Sequence, residues 1–502
     1  MKRNYIDGRW VDTDGATWIS RSPADAEDVL GEFAEDVSAA EEAIGAARRA
    51  QPAWEALGLE GRRVHLMRFA EELGKRVEVI TDRIAREVGK PSWEAIGEAR
   101  ALGSKIGQTL DHGLKVVQGE LLAGSTRWVD GGYRFRALGV CAVLGPFNFP
   151  LHLANGHIIA ALATGNTCVF KPSELAPSCA ELFMEAVDAA ELPRGVLNMV
   201  QGQRATGEAL VASLGVDAVL FTGSVPTGLA IRRATVDQPW KLLALEMGGK
   251  NTSIVLSDAD LDRAAYEIGT AALLTSGQRC TATSRVVVAR SLYEGLEARL
   301  SKIFRDVQVG HPLDDATFMG PLINAAAVER FLQGAETAAA EGMEAVVAGA
   351  VAEVHREGRR LHGHYIRPAL WRATRPPDGT GRHDAHELFA SDVVLHLLDD
   401  GASDEEVGSL ANATPFGLAM SVFTTSVERF ERLEPHLRCG VLNFNRSTVG
   451  ASGMLPFGGV KNSGNHRPAA SLAPAYCTYP VSTLREQATL AAGGRMARFP
   501  EF

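Results

Sequence analysis

GVCAVL (residues 139–144) is the first of a series of short apolar runs, and TCVFK, LNMV, AVLF and KLLALE follow it up to residue 246. A stretch with helical spacing separates each run from the next, so strands and helices alternate along this part of the chain. The alternation predicts an α/β fold in which right-handed crossovers build a parallel sheet with helices on both faces. Because such sheets bind ligands beyond the carboxyl ends of their strands, the residues after each run are the first candidates for a site.

The region before this series has two other patterns. Apolar residues recur every three or four positions from Leu66 to Val88, which predicts one long amphipathic helix that Gly89 and Pro91 end. Residues 121–138 contain two partly alternating runs around an Asp-Gly-Gly turn, the pattern of a β-hairpin.

A second α/β region is predicted from residue 248 to residue 470. It has helical stretches at 261–275 and 324–341 and an apolar strand at Val393–Leu398. The last segment, 475–502, contains YCTYPVSTL, which predicts a further strand before a tail.

The composition is that of an ordinary globular protein. A chain of 502 residues exceeds the size at which one core keeps growing, so several domains are expected. The net charge of −10 and the lack of a long basic run argue against nucleic acid or an anionic membrane as a partner. The start, MKRNYIDGRW, has no apolar segment after its basic residues, and no long apolar run follows, so we expect a cytoplasmic protein without membrane contact.

Cysteine usage singles out one thiol. The six cysteines form no CxxC pair and no histidine cluster accompanies them, so neither disulfides nor a metal site is predicted. Only Cys280, in TSGQRCT (275–281), lies in a polar, glycine-containing context, and the adjacent Arg279 would favour its thiolate. The other five are expected to be small core residues, and for an isolated cysteine that alternative stays open.

Polar residues follow the first, second and fourth runs. Asn148 lies between two prolines in GPFNFP (145–150), where its amide could serve an oxyanion or simply stabilise the turn. Lys171 and Glu174 in FKPSE could bind ribose hydroxyls, or they could be solvated loop charges. A contact between ribose and the carboxylate would favour NAD, because a 2′-phosphate would be repelled.

The loop after the fourth run opens a helix, where backbone N–H groups and the helix dipole favour a phosphate. An ordinary strand-to-helix turn is the alternative. The cofactor candidates of this loop are Phe221, Thr222, Gly223, Ser224, Thr227 and Gly228.

The fifth run ends in LEMGGKN (245–251), which places Glu246 before two glycines. A carboxylate beside closely approaching backbone suits a general base, although a surface glutamate before a turn has the same pattern.

Taken together, and in this order, the motifs resemble the aldehyde dehydrogenase superfamily across nearly the whole chain. The motifs that carry the resemblance are GPFNFP, FKPSE, FTGS, LEMGGKN and GQRC, with PFG at 415–417 and PFGG at 456–459.

The resemblance implies a role for each matching residue. Cys280 would be the nucleophile, Glu246 the general base, and Asn148 with the Cys280 backbone N–H the oxyanion hole. NAD would be held by residues that include Lys171, Glu174, Ser224, Glu387 and Phe389. The chemistry is oxidation of a small-molecule aldehyde to a thioester on the cysteine, followed by hydrolysis to the carboxylate.

The family architecture implies three parts. Residues 1–120 and 139–247 would form a Rossmann-like NAD-binding domain, residues 248–470 an α/β catalytic domain, and residues 121–138 with 471–502 a β-extension for oligomerisation. A homodimer or a tetramer is therefore expected. The usual Glu-x-Phe-Gly-Pro of the family is here Glu387-Leu-Phe-Ala-Ser391, so the loop lacks both the glycine and the proline.

Two longer stretches resemble the succinylglutamate-semialdehyde dehydrogenases of arginine catabolism. They are GPFNFPLHLANGHI (145–158) and SGNHRP (463–468). A substrate with carboxylates makes Arg446 and Arg467 candidates for binding it, since a guanidinium matches a carboxylate bidentately, although Arg467 could equally be a surface or interface residue. Phe147, Phe444, Arg446 and MGGKN depart from that subgroup, so a related amino-acid-derived semialdehyde stays open.

Three other functions are weighed. A broad-specificity aldehyde dehydrogenase fits the same motifs. In a CoA-acylating relative, transfer to CoA would replace hydrolysis, and Glu246 argues against it because such relatives typically lack that base. A catalytically silent NAD-binding protein of the same fold is disfavoured because Cys280, Glu246 and Asn148 are all present.

Overall fold

The computed structural model describes residues 3–126, 129–377, 379 and 381–486. Strands up to residue 246 are β1 (Arg3–Ile6), β2 (Arg9–Asp12), β3 (Ala16–Arg21), β4 (Val29–Glu35), β5 (Glu120–Thr126), β6 (Val129–Ala137), β7 (Val140–Leu144), β8 (Thr167–Lys171), β9 (Leu197–Met199), β10 (Ala218–Thr222) and β11 (Leu242–Glu246). Helices in the same part are α1 (Ala39–Ala56), α2 (Gly58–Lys75), α3 (Val77–Val88), α4 (Ser92–Asp111), α5 (His152–Ala163), α6 (Pro177–Ala189), α7 (Arg204–Ala212) and α8 (Val225–Ala234).

The remaining strands are β12 (Asn251–Val255), β13 (Thr283–Ala289), β14 (Glu344–Val347), β15 (Ala350–Val351), β16 (His355–Arg356), β17 (Arg359–Arg360), β18 (Ile366–Arg367), β19 (Ala369–Arg372), β20 (Asp392–Leu398), β21 (Phe416–Gly417), β22 (Ala419–Phe423), β23 (Val441–Phe444), β24 (Pro456–Phe457), β25 (Val460–Lys461), β26 (Ala469–Ala470) and β27 (Thr478–Glu486). The remaining helices are α9 (Leu261–Leu273), α10 (Tyr293–Asp306), α11 (Ala325–Ala340), α12 (Arg382–Ala385), α13 (Asp404–Asn412), α14 (Val427–Leu433) and α15 (Ala473–Tyr476).

The five predicted runs form the body of the first sheet, whose order is β11-β10-β7-β8-β9-β1-β2. Strands β7 to β11 pair in parallel, and β1 joins β9 in the antiparallel sense. Side chains of β7 alternate between two cores, because Cys141 and Val143 pack on one face and Val140 and Ala142 on the other. Both faces are therefore covered, and the predicted α/β class is confirmed.

The second α/β region contains another largely parallel sheet, ordered β14-β19-β20-β13-β12-β22-β23. Only β14 runs antiparallel to its neighbour within this sheet. The helices predicted at 261–275 and 324–341 are α9 and α11, and the predicted strand at Val393–Leu398 is β20. Along the chain, β11 is the last strand of the first sheet and β12 is the first strand of the second, so LEMGGKN connects the two sheets.

The long helix predicted from Leu66 to Val88 is two helices, α2 and α3, and that prediction was wrong. Arg76 has φ −107° and ψ 8°, and its N–H bonds to the Leu73 carbonyl, which tightens the last turn of α2 and ends it. The apolar spacing continues across the break because both helices bury their apolar faces in the same core. Gly89 ends α3 in the left-handed conformation, with φ 80°, as predicted.

The predicted hairpin exists as β5 and β6, but Asp130-Gly131-Gly132 is not its turn. Gly131 and Gly132 lie inside β6 and pair with β5 on one side and β27 on the other. A Cβ at Gly132 would lie 2.9 Å from the Glu120 carbonyl oxygen, so glycine allows a close approach of two strands there. The reversal falls between Thr126 and Val129, which pair with each other, and residues 127 and 128 lie outside the described residues.

Strands β27, β6 and β5 form one three-stranded sheet, which brings the two segments predicted for oligomerisation together. The predicted strand YCTYPVSTL corresponds to β27, although it begins only at Thr478, after α15. Its tail, residues 487–502, lies outside the described residues. Along the described part of the chain, no helix combines the length and apolar composition needed to cross a bilayer.

Candidate active site

A cavity of about 260 Å³ lies where the carboxyl ends of β10 and β11 meet the loop that precedes β13. Cys280 and Glu246 both line it, as does Thr222 at the end of β10. Its wall also includes Lys105, Phe149, His152, His157 and Arg279. Two residues singled out from sequence for complementary roles, a thiol and a carboxyl, thus share one cavity.

The loop that carries Cys280 begins with an unusual backbone. Thr275, Ser276 and Gly277 are successive left-handed residues, with φ 53°, 57° and 74°. A Cβ at Gly277 would lie 2.3 Å from the Ala390 carbonyl carbon, so the loop passes directly against the 387–391 segment. Since left-handed non-glycine residues are costly, surrounding contacts must hold this turn in place.

Glu94 of α4 supplies several of those contacts. Its carboxylate accepts hydrogen bonds from the Thr275 backbone N–H at 2.9 Å and from Arg279 Nη2 at 2.6 Å. The Thr275 hydroxyl donates to the same carboxylate. Burial on its own raises the pKa of Glu94, but Arg279, Lys90 and Thr275 together hold it below its usual value. The loop is therefore anchored by a charged group on a neighbouring helix.

LEMGGKN anchors the other side of the loop. Asn251 Nδ2 donates to the carbonyl oxygens of Cys280, at 2.8 Å, and Ala282, at 2.9 Å. A Cβ at Gly249 would lie 2.2 Å from the Cys280 carbonyl oxygen. Only glycine permits this approach, which explains the second glycine of the motif.

Asn148 lies beside the same loop rather than serving only its own turn. The side chain is buried, and Nδ2 donates to the Gln278 carbonyl oxygen at 2.8 Å. An amide has two N–H donors, so this bond orients the group and leaves a second donor. Next to it, the Phe147 and Phe389 rings meet edge to face at 5.8 Å.

The thiol of Cys280 is not poised as a thiolate in the way the adjacent arginine suggested. Burial raises the pKa of Cys280 to about 12, Glu387 and Glu246 act in the same direction, and Arg279 only partly offsets them. Arg279 is engaged with Glu94, so much of its charge is already compensated. A nucleophilic role for Cys280 would therefore require the thiol to lose its proton first.

The prediction for the other cysteines is right in four cases out of five. Cys141, Cys168, Cys179 and Cys477 are buried in the core, whereas Cys439 is half-buried like Cys280.

Glu246 ends β11 and is buried in the cavity wall. Burial raises its pKa well above the usual range. Oε2 has no hydrogen-bond partner among the residues that the structure describes. The Ala469 backbone N–H bonds to this carboxyl and offsets only part of the effect of burial. A buried carboxyl that keeps one oxygen free and lines the same cavity as a thiol is the kind of group that accepts a proton at a raised pKa.

The segment SGNHRP holds β11 in place. Asn465 accepts from the Leu245 N–H at 3.0 Å and donates to the Leu243 carbonyl at 2.8 Å, and the Met247 N–H donates to the Ser463 carbonyl at 3.0 Å. These bonds bracket Glu246 on both sides. The motif therefore positions the carboxyl from outside the sheet.

Cofactor candidates gather at the carboxyl ends of β8 and β10. Lys171 is buried, donates to the Pro172 carbonyl at 2.8 Å and lies 3.6 Å from the half-exposed carboxylate of Glu174. Ser224 caps the N-terminus of α8, and its hydroxyl accepts from the Thr227 N–H. The predicted loop, Phe221 to Gly228, thus opens a helix whose first N–H groups lack partners within the helix.

Glu387 and Phe389 are separate from that set. The Glu387 carboxylate packs over Gly248 and accepts the Gly249 N–H at 2.8 Å. Burial raises its pKa to about 7, against the opposing effects of that N–H and of Lys250. Phe389 takes the left-handed conformation with φ 56°, and the Ser391 hydroxyl donates to the Ala272 carbonyl at 2.9 Å. The loop that lacks Gly and Pro is held in this way.

The structure does not bring Arg446 and Arg467 to the cavity. Both are exposed, and Arg467 Nη1 donates to the His466 carbonyl at 3.1 Å. The cations on the cavity wall are instead Arg279 and Lys105. Sequence analysis missed Lys105 and Glu94, and the available signal was a set of ionisable residues on an otherwise apolar face of α4.

The chain belongs to the aldehyde dehydrogenase family, whose sequence profile matches residues 10–479. It is therefore an oxidoreductase that acts on aldehydes, and the resemblance drawn from its motifs is confirmed. The chain is similar to the N-succinylglutamate 5-semialdehyde dehydrogenase of Serratia proteamaculans (strain 568), with 38% identity over 489 residues and 96% of each chain covered.

Solved structures agree with the fold. Lactaldehyde dehydrogenase from Escherichia coli superposes with a TM-score of 0.89 at 31% identity, covering 97% of this chain and 99% of that chain. An indole-3-acetaldehyde dehydrogenase in complex with NAD+ superposes with a TM-score of 0.89 at 29% identity, covering 97% of each chain. These similarities support use of NAD(P) by the family fold seen here.

Proposed function

We propose that this protein oxidises an aldehyde to its carboxylate with NAD, through a thioester on Cys280. The observation that carries the proposal is that Cys280 and Glu246 line the same cavity. A thiol close to a carboxyl of raised pKa is the pair that thioester formation and hydrolysis need.

Each residue has a defined task in this reaction. The Cys280 thiol gives up its proton to solvent, and its sulfur forms a bond to the aldehyde carbon as the electron pair of the C=O bond moves to the oxygen. That oxygen receives N–H donors from Asn148 and from the Cys280 backbone. A bound NAD would supply the acceptor for the hydride of that carbon. Glu246 then takes a proton from the water that attacks the thioester, which releases the acid and restores the thiol.

The residues at the carboxyl edge of the first sheet fit a dinucleotide. The Lys171 ammonium makes one close hydrogen bond, to the Pro172 carbonyl, and so has donors to spare for hydroxyls. Glu174 is half-exposed beside it and would accept from a ribose. Ser224 and the N-terminus of α8, with Phe221, Thr222, Gly223, Thr227 and Gly228, would receive a phosphate.

Glu387 and Phe389 would flank the reactive end of the cofactor, because they contact the loops that carry Gly249 and Phe147. Glu174 favours NAD over NADP, because the 2′-phosphate would meet its carboxylate.

The substrate that we propose is N-succinylglutamate 5-semialdehyde or a related amino-acid-derived semialdehyde. The Serratia relative that carries this name in its description supports it. Hydrolysis rather than transfer to CoA is favoured by Glu246, which a CoA-acylating mechanism does not need.

The test is a steady-state assay of NADH formation with a panel of aldehydes. The panel contains N-succinylglutamate 5-semialdehyde, its N-acetyl analogue and butanal, each with NAD, NADP or NAD plus CoA. We expect the highest kcat/KM for the succinylated substrate with NAD, and free acid formed without CoA. Equal efficiency for all aldehydes would indicate broad specificity, and a requirement for CoA would indicate an acylating enzyme.

We also propose the domain roles that the motifs suggested. Residues 1–120 and 139–247 would bind NAD, residues 248–470 would carry the catalytic loop, and the sheet of β5, β6 and β27 would join subunits in a dimer or tetramer. Leu121 and Leu484 on this sheet are 80% and 73% exposed, which is costly for a monomer. Sedimentation of Leu121→Glu/Leu484→Glu tests the last point, and an unchanged oligomer would contradict it.

A further inference from the structure

Helix α4 presents three ionisable side chains on one buried face. Glu94, Glu98 and Lys105 are separated by four and seven residues, and the total of eleven is close to three helical turns. The other residues on this side are apolar or small, among them Ala95, Leu102 and Ile106. Charged residues on such a face need partners, because burying an unpaired charge is costly.

The two carboxylates have partners. Glu94 pairs with Arg279 at 2.6 Å, and Glu98 pairs with Lys90 at 2.6 Å. Glu98 also accepts the backbone N–H groups of Leu151 and His152, each at 3.2 Å. The charges on the first half of the face are therefore balanced by cations from the protein itself.

Lys105 has no such partner. It is only 6% exposed, and it lines the cavity that contains Cys280. Within the described ranges, no carboxylate lies within ion-pair distance of its ammonium, and no hydrogen bond from that ammonium is formed. Gly156 of α5 faces its side chain, since a Cβ built there would lie 3.9 Å from Lys105 Cε.

His157, which also lines the cavity, does not compensate the charge of Lys105. His157 is held between the Tyr476 hydroxyl, at 2.8 Å from Nδ1, and the Thr222 hydroxyl, at 3.2 Å from Nε2. Burial and the positive charge of Lys105 lower the pKa of His157 to about 4, so it is neutral at physiological pH. Burial also lowers the pKa of Lys105, because the charged ammonium is poorly solvated there. A bound anion would stabilise the charged form and so oppose this shift.

We propose that Lys105 binds a carboxylate of the aldehyde substrate and thereby makes the cavity selective for anionic semialdehydes. This inference rests on the proposed function, because Lys105 would bind one end of the substrate while the aldehyde at the other end reacts with Cys280. The inference is carried by the unpaired ammonium of this largely buried side chain, which lines the cavity wall. N-succinylglutamate 5-semialdehyde offers two carboxylates, one on the α-carbon and one on the succinyl group.

Arg279 is the other cation on the wall, and it is less suited to this task. Its guanidinium is engaged by Glu94, donates from Nε to the Thr275 hydroxyl at 2.9 Å and lies over the Phe149 ring. The exposed Arg446 and Arg467 lie outside the cavity wall, so they would meet the substrate only if it extended beyond it.

The test compares Lys105→Met with Lys105→Arg, and with Lys115→Met as a matched control on an exposed lysine. The measured quantity is the ratio of kcat/KM for N-succinylglutamate 5-semialdehyde to kcat/KM for butanal. We expect Lys105→Met to lower this ratio about tenfold or more, mainly through KM, because a charge-assisted hydrogen bond is lost. Lys105→Arg should restore part of it, and Lys115→Met should not change it. A structural role alone would impair both aldehydes equally, and that result would overturn the proposal.

Further substrates identify the carboxylate. N-acetylglutamate 5-semialdehyde keeps only the α-carboxylate, and 4-succinamidobutanal keeps only the succinyl carboxylate. An effect of Lys105→Met on either supports the proposal and names the group that is bound. No effect on either, or an effect that appears only in Arg446→Met or Arg467→Met, would overturn it. If Lys105→Met does not fold, Lys105→Gln takes its place.

Binding without turnover separates this inference from the proposed function. Calorimetry with N-succinylglutamate, the expected product, measures the anion site directly. If the wild-type protein oxidised no aldehyde yet Lys105→Met weakened product binding about tenfold, the function would fail while the anion site stood. If the wild type were active and product binding did not depend on Lys105, the inference alone would fail.

Discussion

Glu94 and Arg279 form an ion pair, with 2.6 Å between Oε1 and Nη2, across 185 residues of sequence. Because Arg279 directly precedes Cys280, this pair connects helix α4 to the proposed nucleophile. Both side chains are largely buried, with 6% and 15% exposure. The position of the thiol therefore depends on a helix that contributes no reacting group.

Replacing Glu94 by glutamine should destabilise the protein and slow the reaction. The change leaves Arg279 without its partner in a buried setting, which typically costs about 3 kcal/mol. Urea unfolding monitored by circular dichroism measures the loss, and kcat reports the displaced loop. The double variant Glu94→Gln/Arg279→Met should regain part of the stability, since it removes the stranded charge. Additive losses would show that the two residues do not act as a pair.

Replacing Cys280 by serine should abolish NADH formation while NAD still binds. A serine hydroxyl is a far weaker nucleophile at neutral pH, whereas the proposed cofactor contacts lie at the ends of β8 and β10. Absorbance at the NADH band measures turnover, and tryptophan fluorescence measures NAD binding. Cys439→Ser is the matched control, because that thiol is also half-buried but does not line the cavity. Substantial turnover by Cys280→Ser would remove the nucleophile assignment.

Replacing Glu246 by glutamine should block hydrolysis of the thioester more than its formation. Glutamine keeps the shape of the side chain but cannot take a proton, which is worth about a hundredfold or more in rate. Stopped-flow measurement should show one rapid equivalent of NADH per active site, followed by slow turnover. Loss of that first equivalent would assign Glu246 to an earlier step.

The pH profile follows from the same carboxyl. Burial raises the pKa of Glu246, so its proton-accepting form is lost as the pH falls through that raised value and is gained as the pH rises. The steady-state rate at saturating aldehyde should therefore climb as the pH rises above the usual range of a glutamate, and the Glu246→Gln profile should be flatter. A wild-type rate that is constant across this range would contradict the role of the base.

Replacing Asn148 by alanine should lower kcat about a hundredfold, or about 3 kcal/mol in the barrier, because one oxyanion donor is removed. The variant also loses its hydrogen bond to the Gln278 carbonyl, so a modest fall in Tm is expected. Calorimetric unfolding distinguishes the two effects. A severe fall in Tm with little change in kcat would show that Asn148 only stabilises the loop.

Replacing Glu174 by glutamine should weaken the preference for NAD over NADP. The change removes the negative charge that would repel a 2′-phosphate, so the ratio of kcat/KM values for the two cofactors should fall about tenfold. Glu294→Gln, at an exposed position of α10, is the control for a general change in net charge. An unaltered ratio would place the discrimination elsewhere.

Local sequence patterns were sufficient to predict the parallel strands of the first sheet. Strands buried on both faces must be continuously apolar, so β7, β8 and β10 are visible as runs. Periodicity could not reveal the break at Arg76, because two helices that pack on one core keep the same apolar spacing. The turn predicted at Asp130-Gly131-Gly132 was wrong, because glycine occurs where two strands approach closely as well as where the chain reverses direction.

The sequence by itself indicated the groups of the proposed chemistry: a thiol in a polar loop after a predicted helix, and a carboxyl before two glycines and an amide between two prolines, the last two at the ends of predicted strands. The tertiary structure alone decided which charges are compensated and which are left over. Only the contacts between distant segments show that Arg279 is paired, that Arg446 is exposed, and that Lys105 has no carboxylate partner among the residues that the structure describes. Electrostatic balance depends on distances through space, and separation along the chain does not set those distances.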